Sequence, residues 1–239
     1  MLKLLKSAAS RITPGVSQAI RLGSPVSEPG RILDIGCGAG QFLDSMKLAG
    51  WETWGIDISD DAARTAASHG HCTMQGDVTK VDLPANHFDA VRLWHTLEHV
   101  HEPVRVLEAA RKCLKPGGSL IVGVPNVKSL PARWFGRYWM GWDIPRHMWA
   151  FSPTTLRRIT EKSGYRVTGI WTYSMPIMIG ISLAWKRGGM SASLDELSSA
   201  ARRGCSWGAE ILTRMRQGDI ICLHAVPLRA ESEQIDDCK

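Results

Sequence analysis

Hydrophobic positions change their spacing several times over the first half of the chain, and each change predicts an element. In RILDI (residues 31–35), Ile32, Leu33 and Ile35 form a short apolar run broken by Asp34, which reads as a buried strand. Gly36, Gly38 and Gly40 follow in a tight turn, and residues 41–50 then offer Phe42, Leu43, Met46 and Leu48 as the packing face of a helix. WETWGIDI (51–58) predicts a second strand ending in an acid, and residues 61–67 suit a helix. Asp77 and Val78 follow a short run of apolar and polar residues that reads as a third strand. FDAVRLW (88–94) is a fourth strand. Residues 102–114 form a periodic helix on Val104, Leu107, Ala110 and Leu114, stopped by Pro116, Gly117 and Gly118. SLIVGV (119–124) is a fifth strand, closed by Pro125 and Asn126.

This alternation predicts an α/β fold with a doubly wound, mostly parallel sheet. Ligands of such sheets collect outside the carboxyl ends of the strands, where Asp34, Gly36, Asp57, Asp77, Trp94 and Asn126 all fall. Three glycines between a strand and a helix let a ligand approach the backbone and the helix amino end. An acid closing the next strand can accept from both hydroxyls of a ribose. The competing structural reading makes Asp57 a helix cap and Asp77 an ordinary turn acid. A dinucleotide fold fits less well, because GCGAG lacks the GxGxxG order and Asp57 lies only seventeen residues beyond Gly40.

The pieces LDIGCGAG (33–40), GIDIS (55–59), GDV (76–78), FDAVRLWHTLEHV (88–100), LEAARKCLKPGG (107–118) and VPN (124–126) stand in a familiar order. Together they resemble a class I S-adenosylmethionine-dependent methyltransferase, in particular the small-molecule branch of the ubiquinone-biosynthesis and sugar methyltransferases. DIPRHMWAFSPTTLRRITEKSGYRV (143–167) is similar to a later stretch of the same branch. The resemblance implies a seven-stranded, Rossmann-like sheet with a C-terminal antiparallel hairpin. YRVTGIWTY (165–173) and DIICLHAV (219–226) supply its last two strands. About forty-five residues separate them, with a helix expected in 191–215 that breaks near Gly204 or Gly208.

The resemblance also implies site roles. Gly36, Gly38 and Gly40, with Cys37 among them, would lie over the methionine part of S-adenosyl-L-methionine, the loop being organised by Asp34. Asp57 would hold the ribose and Ile58 would cover the adenine. Asp77 would accept from the adenine amino group and the Val78 backbone would meet a ring nitrogen. The backbone at Leu93 and Trp94 would face the methionine amino group. The product would be S-adenosyl-L-homocysteine.

Methyl transfer to a hydroxyl needs alignment, exclusion of water and a place for the proton. His147 in DIPRHMW is the first choice of base, followed by His99 and His95. HTLEH resembles a zinc motif only superficially, since its glutamate is in the fourth position and not the second, so no metal is expected. Arg146 suits a carboxylate or phosphate on the acceptor, or a salt bridge fixing its own loop.

Composition adds two facts. Ten tryptophans occur in 239 residues; seven follow residue 127 and four lie within 134–149, interleaved with Arg133, Arg137 and Arg146. That stretch reads as an apolar lid with basic anchors, in which Trp134 and Trp139 touch the acceptor, or as a buried cap that serves stability alone. The net charge of +6 permits an anionic or membrane-surface partner without selecting one. The six cysteines show no CxxC spacing, which fits separate reduced thiols and a cytoplasmic protein, peripheral at the inner face of a membrane at most. Residues 171–185 are too short and too broken to span a bilayer, but suit its surface.

The expected organisation is a single methyltransferase domain over 1–239. It comprises an N-terminal helical cover (1–28), a cofactor core (31–126), an acceptor-side lid and helix (127–164), a C-terminal hairpin with a helical insertion (165–227) and a polar tail (228–239). The expected partner is a small-molecule acceptor bearing a hydroxyl on a sugar, quinone-like or lipid-linked metabolite, bound by a monomer or homodimer. Methylation of RNA or protein, or cofactor binding without turnover, is the alternative; no RNA-binding appendage is recognisable.

Overall fold

The computed structural model describes residues 23–25 and 27–228. The expected N-terminal cover and polar tail lie almost wholly outside the described residues.

Seven strands form one sheet. They are β1 (Arg31–Ile35), β2 (Glu52–Asp57), β3 (Cys72–Gln75), β4 (Phe88–Trp94), β5 (Leu114–Pro125), β6 (Tyr165–Tyr173) and β7 (Ile220–Pro227). Their order is β3-β2-β1-β4-β5-β7-β6, so the chain winds outward from β1 in both directions. The first five strands pair in parallel, while β7 enters antiparallel between β5 and β6. This is the doubly wound α/β sheet with a C-terminal antiparallel pair that the alternation and the resemblance together led us to expect.

Seven helices flank the sheet among the described residues. They are α1 (Gln41–Leu48), α2 (Asp60–Ser68), α3 (Pro103–Cys113), α4 (Leu130–Phe135), α5 (Pro153–Lys162), α6 (Pro176–Gly188) and α7 (Ser199–Arg214). Local chemistry starts several of them. Ser59, Ser129, Ser152 and Ser198 each accept a backbone N–H of the first turn, and Pro stands early in α3, α4, α5 and α6. Successive strand residues feed opposite cores. Leu33, Ile35, Val91 and Leu93 pack with Leu107 of α3 and Leu156 of α5. Ile32, Ala90 and Ile121 pack on the other face with Met46 of α1, Met178 of α6 and Ala209 of α7.

The third strand, Cys72–Gln75, is the mixed run that precedes Asp77 and Val78, an edge strand that pairs only with β2. Three expectations change. Leu48 is exposed, so α1 packs through Leu43 and Met46. Pro116, Gly117 and Gly118 lie within β5, where the register slips between Phe88 and Ala90 and Asp89 pairs with Lys115 at 2.8 Å. Helix α7 runs unbroken through Gly204 and Gly208, since a β-carbon at either would meet only open space and no packing demands a bend. The apolar stretch 171–185 divides between the end of β6 and α6, which buries Met178, Ile179 and Ala184. No described helix is long and apolar enough to cross a membrane.

Candidate active site

The carboxyl ends of β1, β2 and β4 build the first half of the site. β1 ends in a turn whose three glycines all take positive φ: 77° at Gly36, 54° at Gly38 and 86° at Gly40. Their surroundings differ. A β-carbon at Gly36 would sit 2.4 Å from the Thr96 hydroxyl, whereas one at Gly38 would meet nothing within 4 Å. Gly36 is therefore fixed by packing, and Gly38 is the open face of the turn. Gly40 caps α1, whose first-turn amides receive no side-chain cap.

Asp57 ends β2 and reaches across this turn. Its Oδ2 accepts from Gly38 N at 2.8 Å and its Oδ1 from Ser59 N at 2.9 Å, which leaves a lone pair on each oxygen for a further donor. Ile58 beside it is 77% exposed. Asp77 lies in the turn after β3, where its Oδ1 accepts from Thr79 N (2.9 Å) and the Thr79 hydroxyl (2.8 Å). The Thr79 backbone bond holds this carboxyl below the usual range, and Val78 beside it is buried. Cys37 is buried under the turn, and burial pushes its thiol up to about 12, as suits a packing residue and not a nucleophile.

Asp34 does not face the turn's open side. It is buried and accepts twice from Arg92 Nη1, at 3.0 and 3.1 Å, Arg92 being its register partner on β4. The guanidinium lies 3.7 Å from the Phe42 ring centroid and 4.7 Å from that of Trp94. Burial raises the Asp34 carboxyl to about 6, with Arg92 pulling against it. Arg92 and Thr96, whose hydroxyl donates to Ile35 O at 2.9 Å, were not legible as site residues. The available signal was a pair of opposite charges at matching positions of two otherwise apolar strands.

Leu93 is buried and Trp94 is half-buried, its ring filling the space that a side chain at Gly123 would occupy. Beyond Trp94 the chain turns at His95 (φ 53°) into a short 3-10 turn, Leu97–His99. Its Glu98 carbonyl accepts from Met148 N (2.8 Å) and Trp149 N (3.3 Å), which clips this turn to residues 143–151.

That clip brings together residues nearly fifty positions apart. The rings of His99 and His147 lie 4.6 Å from centroid to centroid. His99 Nδ1 pairs with Arg146 O at 3.0 Å and His147 Nδ1 with Gly141 O at 2.9 Å. Each backbone oxygen can only accept, so both Nδ1 atoms carry the proton and both Nε2 atoms present a lone pair. His95 points elsewhere, its Nδ1 lying 3.1 Å from Glu98 Oε1.

A pocket of about 180 Å³ opens beside His147, walled by Pro125, Val127, Trp142, Ile144 and Trp149. Trp134, Trp139 and Arg146 do not line it. Trp134 is exposed and stacks on Phe135; Trp139 is 1% exposed within the core; Arg146 pairs with Asp143 at 2.8 Å. Two further groups escaped the sequence reading. Asp219 at the head of β7 is buried, its carboxyl raised by burial to about 7, and the Tyr173 hydroxyl, which burial pushes well above its ordinary range, has no partner. None of the described cysteines 37, 72, 113, 205 and 222 forms a disulfide.

A family model described as a methyltransferase domain matches residues 8–169. A ubiquinone biosynthesis O-methyltransferase of Xanthomonas oryzae pv. oryzae is 38% identical over 103 residues, covering 40% of this chain and 43% of that protein. The counterpart of Idiomarina loihiensis is 30% identical over 145 residues, covering 55% and 59%. The matched stretch thus spans about half the length of these curated relatives. A Thermotoga maritima S-adenosylmethionine-dependent methyltransferase, described as a possible histamine N-methyltransferase, superposes with a TM-score of 0.61 at 20% identity. It covers 87% of this chain and 86% of its own, a likeness of fold.

Proposed function

The chain belongs to the methyltransferase-domain family, and we propose that it moves a methyl group from S-adenosyl-L-methionine to a hydroxyl of a small, largely apolar acceptor. The cofactor side of the site is fit for that molecule. Gly38 leaves a cradle without side chains, Asp57 keeps acceptor capacity on both carboxylate oxygens, and Ile58 offers an apolar face. In this reading Gly36, Gly38 and Gly40 lie over the methionine part, and the uncapped start of α1 receives its carboxylate. Asp57 holds the ribose, and Ile58, Asp77 and Val78 hold the adenine. The Leu93 and Trp94 backbone receives the amino group. Asp34 and Arg92 act from behind, fixing β1 against β4.

When bound, the cofactor supplies a methyl carbon on a positive sulfur, and that carbon–sulfur bond breaks, its electron pair going to sulfur, as the acceptor's oxygen–carbon bond forms. The chain's task is to place the oxygen and take its proton. His147 is the one ionisable residue lining an otherwise apolar pocket, and its Nε2 lone pair can orient the hydroxyl and accept its proton, with the His99 ring 4.6 Å from its own. The single observation carrying the reading is this pair of imidazoles, both turned by backbone carbonyls so that Nε2 is the free atom. Acceptor contacts fall to Trp142, Ile144 and Trp149, in place of Trp134, Trp139 and Arg146.

A small acceptor of the quinone-like kind is supported by the ubiquinone-biosynthesis relatives and by the size and apolar walls of the pocket. The test is transfer of an isotope-labelled methyl from the cofactor in a cell extract, followed by fractionation. The label should appear in the solvent-extractable small-molecule fraction and survive mild alkali, as an ether does. Label in RNA or protein would replace this reading with macromolecular methylation.

A further inference from the structure

We propose that Asp44, His69 and His71, behind the glycine turn, form a binding site for one divalent transition-metal cation of zinc's class. The three residues each offer a ligand atom, and these atoms all lie within 4.8 Å of one another. Asp44 stands in the first turn of α1, while His69 and His71 flank Gly70 in the turn from α2 into β3. The Asp44 carboxylate lies between the two rings, its Oδ2 3.1 Å from His69 Nδ1 and its Oδ1 3.0 Å from His71 Nε2. No Lys or Arg pairs with it among the described residues. Zinc bonds of about 2.0–2.2 Å set adjacent ligand atoms roughly 3–3.5 Å apart, so these donors already stand at the spacing a shared cation needs.

The cluster is held in place by its surroundings. Three residues beyond Asp44 on α1, Lys47 Nζ donates to His69 O at 3.0 Å and to Gly70 O at 3.1 Å, clamping the turn to the helix. The His71 side chain is 0% exposed, and its Nδ1 lies 2.8 Å from the Thr53 hydroxyl of β2. Metal-binding imidazoles are oriented in this way, through the ring nitrogen that does not touch the metal. The Asp44 and His69 side chains are each 42% exposed, which leaves an open side where the ion enters and water completes its coordination. Two imidazole nitrogens and a carboxylate are a donor set suited to zinc. Without the ion, the nitrogens facing Asp44 carry the hydrogens of ordinary hydrogen bonds. On binding, each neutral ring moves that proton to its other nitrogen, toward the Thr53 oxygen in His71 and toward solvent in His69.

The site lies directly behind the glycine turn. A β-carbon at Gly40 would sit 3.0 Å from His71 Cδ2, so the buried ring is the back wall of the third glycine. An ion joining α1 to the 69–71 turn braces Gly40 and the first turn of α1 from behind, and it touches none of the residues that wall the acceptor pocket. That this braces a cofactor cradle rests on the methyl-transfer reading; the cation site itself does not.

The test is titration of the whole metal-free protein with Zn2+, with affinity read against a chromophoric chelator and the ligands read from the nitrogen-15 resonances of the histidine rings. Binding should shift His69 Nδ1 and His71 Nε2 and move their protons to the opposite ring nitrogens. Affinity at this site should fall on the order of 100-fold or more in His69→Ala and in the near-isosteric Asp44→Asn, and about tenfold in Thr53→Val, which removes only the oxygen behind His71. The ring resonances of the parent decide the matter even if a variant fails to fold. Ring nitrogens of His69 and His71 that stay unmoved at saturating Zn2+, or parent-like affinity in both His69→Ala and Asp44→Asn, would overturn the metal site and leave a hydrogen-bonded staple between α1 and the turn. Either result leaves the methyl-transfer reading standing. Zn2+ bound at these nitrogens in a protein that binds no S-adenosylmethionine would do the reverse.

Discussion

The two sides of the site are built by opposite means. On the glycine-turn side, the ligand-facing surface is mostly backbone, shaped by residues 34–40 and 57–59, and the carboxylates there already have partners: Arg92 for Asp34, Gly38 and Ser59 for Asp57. On the opposite side the surface is side chains brought from distant parts of the chain. There Glu98 Oε2 is buried without a hydrogen-bond partner, as Arg92 Nε is behind the glycine turn. A surface of satisfied backbone is complete before its ligand arrives. In the proposed function the glycine-turn half is a preformed cradle for the cofactor, and the opposite half sets specificity for the acceptor.

The strongest way to break this division is to remove an imidazole. His147→Ala should lower kcat on the order of 100-fold or more while leaving cofactor affinity unchanged. Equal losses in both would join the two halves into one unit. Next in size is the contrast between two glycines of the same turn. Gly36→Ala must clash with Thr96 and adopt φ 77°, and should cost on the order of 3–4 kcal/mol in denaturant unfolding. Gly38→Ala faces open space and should cost only about 1 kcal/mol, its larger effect being on cofactor affinity.

A smaller effect sharpens the acceptor side. Asp219 is faced by His95 and Tyr173, and Tyr173 in turn by Arg92 and Cys222. Its carboxyl, ordinarily near 4, is raised by burial to about 7, so the folded protein holds the proton more tightly than the unfolded chain. Its contribution is therefore fully present below about pH 4 and declines as pH rises to 7. Asp219→Asn cannot ionise, so its stability relative to the parent should grow between pH 5 and pH 8 on the order of 2 kcal/mol. A difference flat in pH would place the proton elsewhere. Smallest of all, Trp134→Ala should change turnover less than twofold, roughly the scale of an exposed surface substitution.

The same contrast governs what could be read from the sequence. Strands β4 and β6 are bounded as their apolar patterns predict, because each is a dense run flanked by turn residues. The short edge strand Cys72–Gln75 has no such run, so its place before Asp77 and Val78 was legible but its bounds were not. Gly204 and Gly208 look like helix breakers, yet packing through Cys205 and Ala209 holds α7 continuous while the glycines face out. In the site, Gly38 and Asp57 were visible because their partners lie in one contiguous strand–turn–helix unit. The Asp34–Arg92 pair was not, since an arginine inside a strand reads as a polar interruption until the register places it beside an acid. The joining of Glu98 and His99 to His147 depends on two backbone bonds across the fold, which no local spacing encodes.

The division between a preformed cradle and a separate acceptor side is tested most directly by calorimetry of S-adenosylmethionine against the parent, Asp57→Ala and His147→Ala proteins, each checked for a cooperative melting transition. Asp57→Ala should bind on the order of 100-fold more weakly, through loss of charge-assisted hydrogen bonds, and His147→Ala should bind as the parent does. Parent-like affinity in Asp57→Ala, or an equal loss in His147→Ala, would contradict the account.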